Sequence, residues 1–520
     1  MMFSPLSLRA LRMKATTVPV AASLVLASAV AYAQQSGSDS VPQRAVSIVP
    51  RVSITETVTD NVRLSSVNQQ SDLITEISPG IRINVEGARL KSYFDYSLRE
   101  VLYAQNSSAG RSQNALNTFG TLEAVDNFAF VDFSGAISQQ AISAFGTQSS
   151  GNTSINANQT EVSSYRLSPY LRGRLGNMAS YDVRYSRAVT RSDAAAGSGV
   201  TKEDGVARVS GSSAIRNLGW SADASRQRVD YSPGRTTEAD RLSLGLSYSI
   251  TPQLNVFANA GNESNNYTSF DKQSYGTGGV GLNWTPSEVT KVSASRDRRS
   301  FGDAHSLRFE HRTARTAWIF TDSKSVSATP SQTGIASLGA IYDLLYTQFA
   351  SIEPDPVLRA QLVNAYLQAN GISPNATVIS SFLTSAVSLQ RRQDLSFALL
   401  GVRDTITFIA TRSESSRLDT LSTGVDDLTT SALVRQRGLS VNYAHRLTPD
   451  YSLGVLASQQ ETSGASSLQD TTLRLLNVNL TGRVGRTAFA SVGIRHRIVS
   501  GSSTASYTET AVTGNLNVQF

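Results

Sequence analysis

The sequence predicts an all-β fold: a single closed antiparallel transmembrane β-barrel of about 22 strands, interrupted by a helical insertion. Three observations carry this. Apolar and small polar residues alternate with period two along most of the chain. Short turns and long polar loops alternate between those segments. The closing segment AVTGNLNVQF (511–520) is a strand pattern ending on an aromatic, with no polar tail to blunt a sheet edge.

The N-terminal stretch is read as a leader. Arg9, Arg12 and Lys14 precede the apolar run VPVAASLVLASAVAYA, and Ala31-Tyr32-Ala33 has the A-x-A form of a cleavage site. Residues 1–33 are therefore expected to be a signal peptide and 34–45 a polar periplasmic linker. No later run is apolar and long enough for a membrane helix, so an exported chain is periplasmic, secreted or an outer-membrane barrel. The chain has no cysteine, which excludes disulfides and thiol chemistry. The formal charge of +7 is mostly arginine against acid spread over 520 residues, and no basic cluster points to nucleic acid.

Period two is clearest in RLSLGLSYSI. Leu242, Leu244, Leu246, Tyr248 and Ile250 alternate with Ser243, Gly245, Ser247 and Ser249. Successive strand side chains point to opposite faces, so one face is apolar and the other small and polar. Phe94, Tyr96 and Leu98 oppose Asp95 in the same way. Tyr181, Val183 and Tyr185 oppose Asp182 and Arg184, and Val131 and Phe133 oppose Asp132.

Short turns are expected at Glu86-Gly87-Ala88, Gly176-Asn177, Thr251-Pro252, Thr285-Pro286, Thr448-Pro449-Asp450 and Gly485-Arg486. Longer polar loops are expected at 65–71, 145–159, 192–204, 231–240, 262–271 and 415–427. This rhythm fits an outer-membrane barrel better than a soluble sandwich or propeller. Strands are expected to start near Val46, Asp72, Leu90, Ala115, Phe128, Val162, Ala179, Gly205, Leu218, Thr237 and Gln253. The second half continues near Ser274, Val289, Ser306, Thr316, Arg392, Arg403, Thr429, Tyr451, Thr471, Thr487 and Ser506. The barrel then spans 46–520.

Residues 334–390 break the rhythm. Leu338, Ile341, Leu344, Leu345 and Phe349 recur at helical spacing. Pro354 and Pro356 open a second helical pattern that Gly371 stops. The segment occupies a long-loop position, so it is expected to be an extracellular cap or an inward-folded plug, serving as a loop domain or as a gate.

The stretches SPGIRINVEGARLKSYFDYSL, VDFSGAISQQAIS, NQTEVSSYRLSPYLRGRLG and LQRRQDLSFALLGVRDTITF together resemble the sporadically distributed, PEP-CTERM system-associated outer-membrane proteins. That resemblance implies a Gram-negative outer-membrane barrel with a place in envelope or exopolysaccharide biology. It supplies no substrate and no catalytic residue.

No cofactor motif, P-loop or G-x-S-x-G is present. His305, His311, His445 and His496 form no compact metal pattern. Asp303 and His305, placed in a loop by this reading, are more simply solvated surface than a hydrolase pair. The chain is therefore expected not to be an enzyme. The polar faces carry the chemistry instead. Arg166, Arg172, Arg174, Arg184, Arg474, Arg495 and Arg497, with Asp95, Asp132 and Asp182, are expected to face the lumen. They form either an internal ion-pair lattice or a path for anionic or polyhydroxylated sugar chains.

Leu516, Val518 and Phe520 resemble the terminal signal read by the barrel-assembly machinery through strand addition. Expected partners are outer-membrane lipid, that machinery, exopolysaccharide and periplasmic export proteins. The competing functions are an exopolysaccharide conduit, a non-conducting structural barrel and, less favoured, an outer-membrane hydrolase.

Overall fold

Leu242, Leu244 and Leu246 are 56, 62 and 59% exposed, while Ser243 between them is 7% exposed. Alternation of this kind, repeated around a ring, sorts the chain into an apolar outside and a polar inside. The computed structural model describes residues 46–520 except 150, 195–198, 233, 329–344, 347–358, 361–362, 364–381, 422–424, 467 and 503–505.

Its strands are β1 (Val46–Thr59), β2 (Asp72–Glu86), β3 (Leu90–Tyr103), β4 (Arg111–Val125), β5 (Ala129–Ala141), β6 (Gln159–Leu175), β7 (Ala179–Ser192) and β8 (Gly199–Ser212). Next come β9 (Leu218–Ser232), β10 (Thr236–Ser249), β11 (Leu254–Asn265), β12 (Gln273–Ser287), β13 (Thr290–Arg299), β14 (Gly302–Arg312) and β15 (Thr316–Ser327). The ring is completed by β16 (Ser388–Leu400), β17 (Asp404–Arg417), β18 (Leu433–Arg446), β19 (Tyr451–Ser463), β20 (Asp470–Arg483), β21 (Ala488–Gly501) and β22 (Tyr507–Gln519).

Each strand pairs antiparallel with its neighbours in the chain. β1 pairs with β22 from Arg51–Gln519 to Thr59–Ala511, so the 22-stranded sheet closes on itself. Closure leaves no sheet edge, which an apolar exterior requires. A tilted ring of this many strands is roughly 40–45 Å across, backbone to backbone.

One rim carries only turns of two to five residues. Asn127, Asn217 and Gly176 take positive φ there (55°, 66° and 58°), the residue types that reach this region at least cost. The other rim carries most of the long loops, including 60–71, 142–158, 328–387 and 418–432. Prolines inside strands leave local gaps. The β2–β3 ladder steps from Ile77–Glu100 to Gly80–Ser97 across Pro79, and β6–β7 from Leu167–Arg187 to Tyr170–Arg184 across Pro169.

The structure corrects several expectations. Residues 231–240 are mostly strand, since only 233–235 separate β9 from β10, and β11 runs on to Asn265. Polar sequence stays in the ladder because the strands extend beyond the apolar band, where Lys272, just before β12, binds Glu238 and Asp240 of β10 at 2.7 Å. Asp303 and His305 lie in β14, not in a loop, and do not pair with each other. Asp303 binds Arg296 at 2.7 Å and His305 binds Asp322 at 3.0 Å. The expected insertion 334–390 overlaps β16, which begins at Ser388. Within it residues 345–346, 359–360 and 363 are helical, and 334–344, 347–358, 361–362 and 364–381 lie outside the described residues, as do 1–45.

Candidate functional site in the barrel lumen

Paired residues on neighbouring strands share a face, so the register defines rows that run around the lumen. On the turn side, one inward row reads Arg172 (β6), Asp182 (β7), Arg208 (β8), Asp223 (β9) and Ser243 (β10). Arg208 and Asp223 form an ion pair. The adjoining row reads Phe130, Tyr170, Arg184 and Val206. The Phe130 and Tyr170 rings stack at 5.1 Å. The Arg172 guanidinium lies 4.1 Å over Phe130, and that of Arg184 lies 3.9 Å over Tyr170.

Arg184 also binds Asp132 at 2.7 Å, and the Thr121 hydroxyl donates to the same carboxylate at 2.8 Å. The arginines are thus held flat on rings and fixed by carboxylates, with donors left over. Arg208 is 63% and Val206 37% exposed although both point inward, so water reaches this part of the lumen. Arg166 faces inward higher on β6, opposite Ser134, and Arg174 lies one row nearer the turns than Arg172.

Further round the same wall, Asp95 binds both Arg51 and Arg82, the latter at 2.9 Å, and accepts the Tyr93 hydroxyl at 3.1 Å. That carboxylate is saturated and serves as a clasp. The wall formed by β20–β22 differs in kind. At the turn side its inward positions Asn477, Asn479, Thr481, Ser491, Asn515 and Asn517 are uncharged, and Arg483, inward at the rim beside Phe489, donates to the carbonyls of Gly485 and Arg486 at 2.9 Å. The lumen therefore pairs an arginine–aspartate–aromatic wall with one made mainly of amides and hydroxyls.

On the loop side, loop 142–158 folds inward over the lumen and contacts several walls. Glu509 on β22, 1% exposed, binds Arg495 at 2.9 Å and also the fully buried Arg497. The Tyr507 hydroxyl and Arg497 both donate to the Gln148 carbonyl, which brings loop 142–158 against this wall. The same loop accepts from β3 and β4: Tyr103 donates to the Thr153 carbonyl at 2.7 Å, and Arg111 to the Asn152 carbonyl at 2.8 Å.

Its start reaches the opposite wall. Asp427, in a one-turn helix between β17 and β18, accepts Ser143 Oγ and Ala144 N–H, each at 2.6 Å. Asp426 caps that helix and also accepts the Ser385 N–H at 2.7 Å. Ala144, Phe382, Leu428 and Val434 form a buried apolar cluster across the mouth. Burial holds the Asp427 carboxyl above its ordinary pKa, and the bonds from Ser143 and Ala144 offset this only in part.

Of the residues expected inside, Arg166, Arg172, Arg174, Arg184, Arg495, Arg497, Asp95, Asp132 and Asp182 face the lumen. They divide between the open turn-side wall and the loop-filled mouth. Arg474 does not join them. It pairs in register with the outward Ile498 and shares its face with Leu476 and Val478, while Leu473 points inward. Leu473 packs there with Leu64, Val499 and Tyr507, because the filled mouth makes an inward position apolar. Phe130, Tyr170, Arg208, Asp223, Gln148 and Glu509 were not anticipated. The parity of Arg208 and Asp223 was readable in the sequence, but Gln148 acts through its backbone carbonyl and left no side-chain signal. Leu516 and Val518 lie on β22 opposite Ile54 and Val52. Among the described residues no group of acids and histidines is arranged to hold a metal.

Residues 200–297 match a family model described as a protein of unknown function, DUF481. No curated protein matches the sequence. Solved barrels resemble the fold at low identity. The FrpB iron transporter from Neisseria meningitidis aligns at 9% identity and TM-score 0.48, covering 91% of this chain and 81% of its own. The siderophore receptor PirA from Acinetobacter baumannii aligns at 8% and 0.47, covering 92% and 81%. BauA, the ferric preacinetobactin receptor of Acinetobacter baumannii, aligns at 11% and 0.46, covering 91% and 80%.

Proposed function

We propose that this chain is an outer-membrane barrel whose lumen takes up an anionic or polyhydroxylated polysaccharide chain from the periplasmic side, in exopolysaccharide export. The supporting observation is the pairing of two unlike walls in the water-filled half of the lumen. Guanidinium groups held over rings offer forked donors to carboxylates and hydroxyls. The asparagines, serine and threonine of the other wall donate and accept, as sugar hydroxyls require. The outward apolar band, with Leu242, Leu244 and Leu246 more than half exposed, suits hydrocarbon. Barrels in that setting carry short turns on the periplasmic side, which puts the open half towards the periplasm and the loop-filled mouth outside. The resemblance to proteins of exopolysaccharide loci accords with this reading.

Passage then requires the mouth to open. In planar bilayers the wild-type barrel is expected to be mostly silent. Releasing loop 142–158 with Ser143→Ala and Asp427→Ala is expected to give anion-selective steps that oligouronates block from the turn side. Steps without such block would count against a polysaccharide path. A second reading, a non-conducting structural barrel, is favoured by the buried Arg497–Glu509 pair and the loop-filled mouth. Silence in the released variant would select it.

A further inference from the structure

The outer face of the barrel is polarised. We propose that the outward surface of β15–β20, on the loop side of the apolar band, binds the phosphorylated headgroup of an outer-leaflet glycolipid. This rests on the outer-membrane placement but not on the cargo of the lumen. The register sets out the surface in rows. Lys324, Arg391, Glu414 and Arg435 lie opposite one another on β15–β18, and the next row is Asp322, Gln393, Arg412, Arg437 and Glu461. Immediately towards the turns lies Phe320, Leu395, Ala410 and Leu439, then Trp318, Phe397, Phe408 and Val441. The step from charge to hydrocarbon is one outward position, about 7 Å along the strand. A headgroup sits at that level when its chains lie along the apolar rows.

The cations are not used up internally. Glu414 is shared by Arg412 at 2.7 Å and Arg435 at 3.9 Å. Arg391 reaches Asp322 at 3.4 Å. Arg437 and Arg474 make no ion pair among the described residues. The side chains of Arg391, Arg412 and Arg435 are each nearly half exposed. The outward surface just across the β22–β1 seam carries the other sign. On β1–β6 the outward charges near the loop rim are Glu56, Glu100 and Glu161, with no outward lysine or arginine on those strands to neutralise them. A generally charged rim would be mixed all round, as it is at Arg228, Glu238 and Lys272. A concentration of guanidinium groups on one sector fits phosphate, to which their forks bind in pairs.

The test is native mass spectrometry of the full chain in detergent, titrated with lipopolysaccharide. The same lipid after enzymatic removal of its phosphates, and inorganic phosphate, form separate arms. Phosphorylated lipid is expected to bind. The Arg412→Gln, Arg437→Gln double variant is expected to bind roughly tenfold or more weakly. Arg412→Lys with Arg437→Lys, and Glu56→Gln on β1 outside the basic sector, are expected to retain binding. Heat-modifiable migration checks that each variant is folded, and the lysine pair keeps the charge if the glutamine pair does not fold. Equal binding by the glutamine pair, equal binding of dephosphorylated lipid, or displacement by inorganic phosphate at comparable concentration would overturn the proposal. So would a dimer that the glutamine pair abolishes, which would assign the face to a second copy. Absence of the wild-type chain from the outer-membrane fraction would remove the placement on which both readings stand, whereas a silent lumen leaves this result untouched.

Discussion

The Asp427 carboxylate accepts the backbone N–H of Ala144 at 2.6 Å across 283 positions of sequence. The bond ties the loop after β5 to the loop after β17, on opposite sides of the lumen.

Asp427→Ala is therefore expected to leave the barrel folded while the mouth opens. Losing a buried hydrogen bond to a charged group costs about 1.5–3 kcal/mol, here spent locally. Protease nicking within 142–158 and bilayer conductance should both rise. No change in either would show that the apolar cluster around Phe382 closes the mouth unaided.

The same contact carries a pH dependence. Burial raises the Asp427 carboxyl above 3.8 in the closed state. The closed state therefore holds the proton more tightly than the open one. Its advantage is fully present below the ordinary carboxyl pKa and fades as pH rises through the raised value. Neighbouring Asp426 acts in the same direction, as a second negative charge. Openings should be rarer at acidic than at neutral pH, and Asp427→Asn should flatten that dependence. An unchanged slope in the asparagine variant would place the titrating group elsewhere.

Arg497→Met should be among the most damaging single changes in the wall. It strips a fully buried partner from Glu509, leaving a buried charge with Arg495 alone, at about 3–5 kcal/mol. Adding Glu509→Gln should recover part of that loss. The midpoint of heat-modifiable migration in urea measures both, and a double variant no better than the single would contradict the pairing.

The two faces of β10 should respond unequally. Leu244→Arg near the membrane midplane is expected to cost about 2–4 kcal/mol. Ser243→Arg points into the lumen opposite Asp223, where it gains a partner, and should cost much less. Equal losses of folded barrel would contradict the assigned faces.

Arg184→Ala tests the lumen wall. Arg184 and Asp132 are each about a third exposed, so the pair itself should contribute little stability, under about 1 kcal/mol. Anion selectivity of the released barrel should fall, because the donor over Tyr170 is gone. Unaltered selectivity would confine this wall to a structural role.

Leu242 to Tyr248 show why the fold was readable from sequence. Where one face meets hydrocarbon and the other water, every second residue reports the division. Strand starts at Val46, Asp72, Leu90, Ala179, Leu218, Thr316 and Tyr451 follow from that pattern alone. Arg474 shows where it fails. In TLRLLNVNL the inward Leu473 borders a filled mouth, so both faces are apolar and the phase is ambiguous. The rows Arg172–Asp182–Arg208–Asp223 could be assigned to the inside strand by strand. Their alignment depends on register, which is set by turns and bulges between strands and not by any one strand's composition. The contact of Tyr507 with the Gln148 carbonyl was beyond reach for a similar reason, since a backbone acceptor carries no residue type.

The ring of strands encloses a bore roughly 40–45 Å wide. The span from Ala144 to Asp427 acts as a tie-rod across its bore, anchored at β5–β6 on one side and β17–β18 on the other. Cutting the tie does more than clear the mouth. It also uncouples two walls that no strand ladder joins directly, since β5–β6 and β17–β18 are not neighbours in the ring.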